Sequence, residues 1–327
     1  MSFSCPLIWV HIGQAKIPKY LKVSLRNFSK TFPGQRLVLL VESRENLNTF
    51  EIPNLEVHQV SVLDDNWSTI KSKLQHDLHF RSEFWFNSLA RFKAIYSYMQ
   101  QSNVKELIHI ESDVTFLPNF PFEKFHGLGS KLAYPIQGNN QGIAAILYVG
   151  SIEILQKFLK YCFDEVIKNP RSTDMTILSK FAQDNENEVT FLPTIADIEN
   201  SNLPAKELFN GAFDAISIGQ YFFGIDARNS RGFRKLFRTD STHWVQPDRF
   251  DFVWKGSSLF ASRGTSELEV FSLHIHSKDV EAFQFDTLQR KFMKRYLESA
   301  RGERSEIVIR VVAKSAYAAL IRRVRSK

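Results

Sequence analysis

Glu111 and Asp113 are two carboxylates two residues apart, at the end of an apolar run that includes Leu107, Ile108 and Ile110. Behind them Val114, Phe116 and Leu117 return to apolar character. In extended chain, residues i and i+2 project to one side, so both acids face the same way where the strand leaves its sheet. Carboxylates this close to apolar strands are costly to bury without a cation or hydrogen-bond donors. The pair suits a hard divalent metal, which takes oxygen ligands and completes its shell with phosphates. A solvated turn also holds acids of this kind, but it has no need of an apolar strand on both sides.

A second set of candidate groups lies far along the chain. Glu269 to Lys278 alternates, with Phe271, Leu273 and Ile275 pointing one way and His274 and His276 the other. A lone strand histidine is usually structural. Two on one face, followed by Lys278, are less ordinary, and imidazole suits Mn²⁺ beside carboxylates and phosphate oxygens. Of the two, His276 is expected nearer the strand end and the cleft.

These residues need elements to carry them. Leu7 to Ile12 forms an apolar opening strand ending at Gly13, Pro18 to about Lys30 a helix with Leu21, Leu25 and Phe28 on one face, and Arg36 to Val41 a second buried strand. Strand, helix, strand without a tight hairpin turn implies a parallel βαβ unit. Ligands of doubly wound sheets sit outside the carboxyl ends of the strands, which puts His11, Gly13 and Glu42 near a nucleotide. Ser82 to Gln101 has helical periodicity, with Leu89, Phe92, Tyr96 and Met99 as its stripe, Arg91 off it and Lys93 near its edge. As plain sequence, Arg91 and Lys93 belong to a solvated helix face. Gln137 to Gly142 is a polar loop ahead of the apolar strand Ile143 to Val149, either a surface turn or a set of amides reading hydroxyls. Thr173 or Asp174 caps a helix bearing Ile177, Leu178 and Phe181. Between Phe209 and Arg234, Asp214, Gln220, Asp226 and Arg228 are interleaved with rings and glycines. That mixture lines either a polar-ligand pocket or a core loop with ion-paired acids.

An apolar strand, acid-x-acid and further apolar residues, fed by a long helix, resembles the Asp-x-Asp element of nucleotide-sugar-dependent glycosyltransferases of the GT-A fold. The resemblance covers roughly residues 5–280 by order of elements. It departs from the common form in having Glu first, at 111. The resemblance implies an α/β fold: a GT-A-like, Rossmann-type mixed, mainly parallel sheet flanked by helices. It implies a divalent metal, Mn²⁺ or Mg²⁺, on Asp113, with Glu111 on the ribose or a metal water and His276 or His274 closing the shell. By the same resemblance Arg91, Lys93 and Lys278 meet the donor diphosphate, and Asp174 faces the acceptor. Asp174 or Asp214 would then serve as general base in an inverting enzyme. The partners implied are a nucleoside-diphosphate sugar and a glycan or lipid-linked acceptor.

Composition bounds the rest. The chain has 327 residues, 29 of them Phe, and its two cysteines, Cys5 and Cys162, lack a partner at metal spacing. This argues against a structural zinc or a disulfide framework and for a reducing, cytoplasmic setting. Twelve Lys and Arg against three Glu make residues 288–327 basic, and residues 1–287 carry about −2 of the overall +7. A near-neutral body is not that of a nucleic-acid enzyme, so no nucleic acid is expected. Residues 1–287 are expected to form the catalytic domain, with a nucleotide half to about 117 and an acceptor half beyond. Residues 288–327 form a basic amphipathic tail, either packed on the domain or lying on the anionic cytoplasmic face of a membrane. Two other functions remain open: a metal-dependent phosphoesterase or nucleotidyltransferase using the same acids, and a non-catalytic module binding membrane or nucleic acid through the tail.

Overall fold

A computed structural model describes residues 5–13, 16–43, 51–76, 83–138, 141–199, 204–226 and 247–297. Arg228, the loop amides Asn139 and Asn140, and tail residues 298–327 lie outside the described residues. The elements run β1 (Leu7–His11), α1 (Lys19–Thr31), β2 (Leu37–Val41), β3 (Leu55–Gln59), α2 (Asp65–Lys73), α3 (Phe84–Ser102), β4 (Leu107–Ile110) and β5 (Val114–Phe116). After these come β6 (Leu132–Gln137), β7 (Gln141–Gly142), β8 (Ile146–Val149), α4 (Ile152–Lys168), α5 (Asp174–Asp184) and β9 (Val189–Leu192). The chain continues with α6 (Pro204–Phe209), β10 (Gly211–Ala212), α7 (Ser217–Phe223), β11 (Asp251–Lys255), β12 (Ser258–Arg263), β13 (Ser266–Val270) and β14 (Ser272–His274).

The main sheet has the order β3-β2-β1-β4-β8-β6-β7, with β9 also paired to β6. Strands β3, β2, β1 and β4 are mutually parallel. Strand β8 runs against both β4 and β6, and β9 runs with β6. The carboxyl ends of β1, β2, β4, β6 and β9 therefore share one edge. This is the mixed, largely parallel α/β sheet expected from the sequence. Strand β2 is buried along its whole length, which its unbroken run of Leu and Val demands, because strands covered on both faces lose the polar alternation. Helix α1 buries Leu21, Leu25 and Phe28 on the sheet, and the Phe28 ring meets Trp9 at 4.8 Å and Phe116 at 4.9 Å. Fully burying such a side chain contributes about 1.5–3 kcal/mol.

A smaller sheet, β10-β13-β12-β11, and a two-stranded ribbon of β5 with β14 complete the pairing. The single strand expected over Glu269 to Lys278 is thus divided. The chain passes from the small sheet to the ribbon at Phe271, whose N–H donates to Ala212 and whose carbonyl accepts from Leu117. Residues 285–297 are helical, and Phe292 packs on Phe222 and Phe252, so the packed body continues past the boundary expected at 287. Among the described residues no helix is long and apolar enough to cross a membrane.

Candidate metal and diphosphate site

The acids stand where β4 ends at the shared carboxyl edge. The Glu111 N–H donates to Ala145 ahead of β8, and the Val114 N–H returns to the Glu111 carbonyl, so Glu111-Ser112-Asp113 is a tight corner between two strands. The ribbon brings the distant histidine to it. Val114 pairs with His274 across β5 and β14, and the Ile275 N–H donates to the Asp113 carbonyl at 2.7 Å. Ligand atoms of Glu111, Asp113 and His274 all lie within 4.8 Å of one another. His274 Nε2 is 3.3 Å from Asp113 Oδ1 and 3.6 Å from Glu111 Oε2.

The tautomer of His274 is set from behind. Its Nδ1 lies 2.7 Å from the Ala215 carbonyl oxygen, which only accepts, so Nδ1 carries hydrogen and Nε2 faces the acids. The Ala215 segment is itself held by Asp214. That buried carboxylate accepts the N–H groups of Ile218 at 3.0 Å, Gly219 at 2.7 Å and His274 at 3.0 Å. It pins the start of α7 to β14. Gly219 permits the close approach, because a Cβ there would lie 1.8 Å from the His274 carbonyl oxygen. Asp214 thus pins the backbone through both oxygens, Oδ1 accepting from Ile218 and Oδ2 from Gly219 and His274.

His276 is not beside the acids in the way its strand position suggested. The strand stops at His274, and the His276 N–H turns back to the His274 carbonyl at 2.9 Å. That three-residue turn ends the alternation, so His276 receives the Asp226 N–H on Nδ1 at 3.2 Å. The ligand group contains His274 instead. The turn continues to Lys278, whose Nζ reaches Asp113 Oδ2 at 2.7 Å and Asp226 Oδ2 at 3.4 Å, over the ring of Tyr20 at 5.6 Å.

Arg91 is a buried cation. Its guanidinium bridges Glu111 and Asp174, so it orients the first acid of the pair rather than standing open to a diphosphate. The N-cap of α5 is Thr173, in a reciprocal capping box with Thr176. Asp174 is thereby left in the first turn to meet Arg91. Lys93 lies elsewhere. Two residues along a helix turn the side chain by about 200°, and Lys93 pairs with Asp64 at 2.9 Å beside the Tyr96 ring, away from the acids. His11 and Gly13 end β1 on the carboxyl edge. Gly13 has φ +69° and donates its N–H to Glu42 Oε2 at 2.7 Å, and a Cβ there would meet Asn87 at 2.2 Å. Tyr20 and the Ala215 carbonyl carry no signal in the sequence. An aromatic on a helix and a main-chain oxygen become part of a site only through tertiary packing.

Electrostatics follow from this crowding. Burial pushes the Asp113 carboxyl up, but Lys278 and His274 outweigh it and hold the group well below the usual carboxylate range. Glu111 is likewise lowered, with burial overcome by Arg91 and His274. Burial raises Asp174 against the pull of Arg91, and raises Asp214 against its backbone donors. For His274, burial is overcome by Asp113, and the imidazole is raised to about 9. Burial and the neighbouring His274 lower His276 to about 4, and burial lowers His11. Arg91 and Lys278 thus face Glu111, Asp113, Asp174 and Asp226, leaving an excess of negative charge when His274 is neutral. Two carboxylates and an imidazole of fixed tautomer, in a net negative setting, fit a divalent cation of the Mn²⁺ or Mg²⁺ type.

No protein family and no curated protein matches the chain. Among solved structures it is similar to the galactosyltransferase LgtC in complex with donor and acceptor sugar analogs, at 12% identity and a TM-score of 0.39 over 58% of this chain and 74% of that one. It is similar to the PaToxG glycosyltransferase at 12% identity and a TM-score of 0.37, over 62% and 75% of the two chains. A cytidylyltransferase from Leptospira borgpetersenii serovar Hardjo-bovis is also similar, at 12% identity and a TM-score of 0.34 over 62% and 78%. Glycosyltransferases are among the similar structures.

Proposed function

We propose that the chain is a divalent-metal-dependent glycosyltransferase that moves a sugar from a nucleoside-diphosphate sugar to a glycan or lipid-linked acceptor. The observation that carries this is the meeting of Glu111, Asp113 and His274 within 4.8 Å at the carboxyl edge of the sheet, with Lys278 beside them. Glu111, Asp113 and His274 would hold the ion, which as a Lewis acid offsets the charge that develops on a departing diphosphate. Lys278 supplies a mobile point charge for the diphosphate oxygens. Arg91 fixes Glu111 Oε1, so that Oε2 faces the centre of the group. His11, Gly13 and Glu42 lie at the strand ends where a nucleoside sits in sheets of this kind.

The competing reading, a two-metal phosphoesterase, needs further carboxylates converging on a second ion. Here the second position against Asp113 is filled by the Lys278 ammonium, which favours one ion and a transfer reaction. The test is release of nucleoside diphosphate from a panel of UDP-, GDP- and dTDP-sugars, after chelation and after readdition of Mn²⁺. Turnover should need the ion and should fall by at least 10²-fold in Asp113→Asn. Turnover indifferent to both changes, or release of nucleoside monophosphate and sugar phosphate in place of nucleoside diphosphate, rejects the proposal.

A further inference from the structure

Lys278 is built into the site at a backbone cost that binding one carboxylate does not explain. Its φ of +59° lies in the left-handed region, unfavourable for any residue with a Cβ and retained where the surroundings enforce it. Its ammonium is shared between Asp113 and Asp226, at 2.7 and 3.4 Å. Asp226 is buried and is not one of the three grouped ligand residues. It also grips the same turn through its main chain, donating its N–H to His276 Nδ1 at 3.2 Å. One residue thus holds both the backbone turn that presents Lys278 and the charge at the end of its side chain.

Asp113 is the point of conflict. It is the ion partner of Lys278 and, in the proposed function, a ligand of a divalent cation. A dication arriving on Asp113 repels an ammonium 2.7 Å from the same carboxylate. The ammonium then needs a second anion, and Asp226 is within a short swing of a flexible stem. The geometry points to Asp226 as a positioning residue that takes over Lys278 when the cation claims Asp113. It keeps the ammonium at the rim of the site for the oxygens of a diphosphate. Without it, Lys278 remains on Asp113 and competes with the ion. This inference rests on the proposed function, since it takes the site to hold a divalent cation and a diphosphate.

The test is a double-mutant cycle on the full chain with Asp226→Asn, Lys278→Met and the pair. Mn²⁺ affinity is measured by calorimetry and by the free-ion electron paramagnetic resonance signal. Binding of UDP, GDP and dTDP is then measured at saturating Mn²⁺, without turnover. Asp226→Asn should weaken Mn²⁺ binding by about tenfold or more, in the range of groups that orient metal ligands, with Asp226→Glu recovering part of the loss. Lys278→Met should leave Mn²⁺ binding as tight or tighter, since the competitor is gone, while weakening the nucleoside diphosphate. In the Lys278→Met background the effect of Asp226→Asn should shrink to about threefold or less. An equal loss in both backgrounds overturns the inference, because the carboxylate then acts on the ion directly. No loss in either background overturns it as well. Should Asp226→Asn fail to fold, Lys278→Met decides alone: a clear fall in its Mn²⁺ affinity overturns the inference. A wild-type chain that binds none of UDP, GDP and dTDP with Mn²⁺ refutes the proposed function itself, whereas binding without coupling refutes only the role of Asp226.

Discussion

Replacing Asp214 separates a structural pin from a catalytic base. Its carboxylate accepts three backbone N–H groups, from Ile218, Gly219 and His274, and all three residues are buried. Asp214→Ala removes the shared acceptor at once. A buried donor left unsatisfied costs about 1–3 kcal/mol. Three would sum to several kcal/mol if nothing moved, and relaxation with water entry places the expected loss at about 3–5 kcal/mol. Asp214→Asn keeps one oxygen and should lose about half as much. In a chain of 327 residues each kcal/mol lowers the melting temperature by about 1.5 °C, so the alanine variant should melt roughly 4 °C or more below wild type. Urea titration followed by circular dichroism checks the free energy, and calorimetry checks the temperature. Because one of the three donors is the His274 N–H, Mn²⁺ affinity should fall along with stability. An Asp214→Asn variant that melts like wild type, binds Mn²⁺ normally and still loses turnover about 10²-fold would refute this reasoning and restore the carboxylate as a base.

Further outcomes follow from the same geometry. His274→Ala should weaken Mn²⁺ binding by about 10- to 100-fold and His276→Ala far less; calorimetric titration of both variants decides between the two rings. In the metal-free chain, folding raises His274 from 6.5 to about 9. Its contribution to stability is therefore complete below about 6.5 and is lost as pH rises through about 9. The same proton must leave Nε2 before a cation binds there, so Mn²⁺ affinity should climb by up to about tenfold per pH unit toward 9. That slope should disappear in His274→Gln. Arg91→Lys cannot bridge two carboxylates in a fixed fork, so it should leave Glu111 or Asp174 poorly paired and lower stability by about 3 kcal/mol, read by urea titration, with turnover falling too.

Much of the fold was legible in the sequence because it is local. Leu37–Val41 is a run that only a doubly covered strand accommodates, and Leu21, Leu25 and Phe28 recur at helical spacing. Glu111 and Asp113 were legible for the same reason, since a two-residue spacing at the end of an apolar strand fixes their common direction. Short elements without an apolar signature, such as the half-buried β3 and the two-residue β7 and β10, carry too little pattern to be seen.

The composition of the site was decided by tertiary structure. Which histidine meets the acids depends on where β14 stops, and that is set by its pairing with β5, which places His274 opposite Val114, 160 residues earlier. As plain sequence Arg91 belongs to a solvated helix face, and the family resemblance gave it to a diphosphate, yet α5 brings Asp174 to it and makes it a bridge between two carboxylates. Asp214 and Asp174 are indistinguishable as letters. Backbone donors claim one and a guanidinium claims the other, because a buried charge takes whichever compensating partner the fold places within reach. Residue type sets what a side chain can do, and the local pattern sets which way it leaves its own element. Its partner is supplied by a segment far along the chain, through contacts that no local pattern encodes.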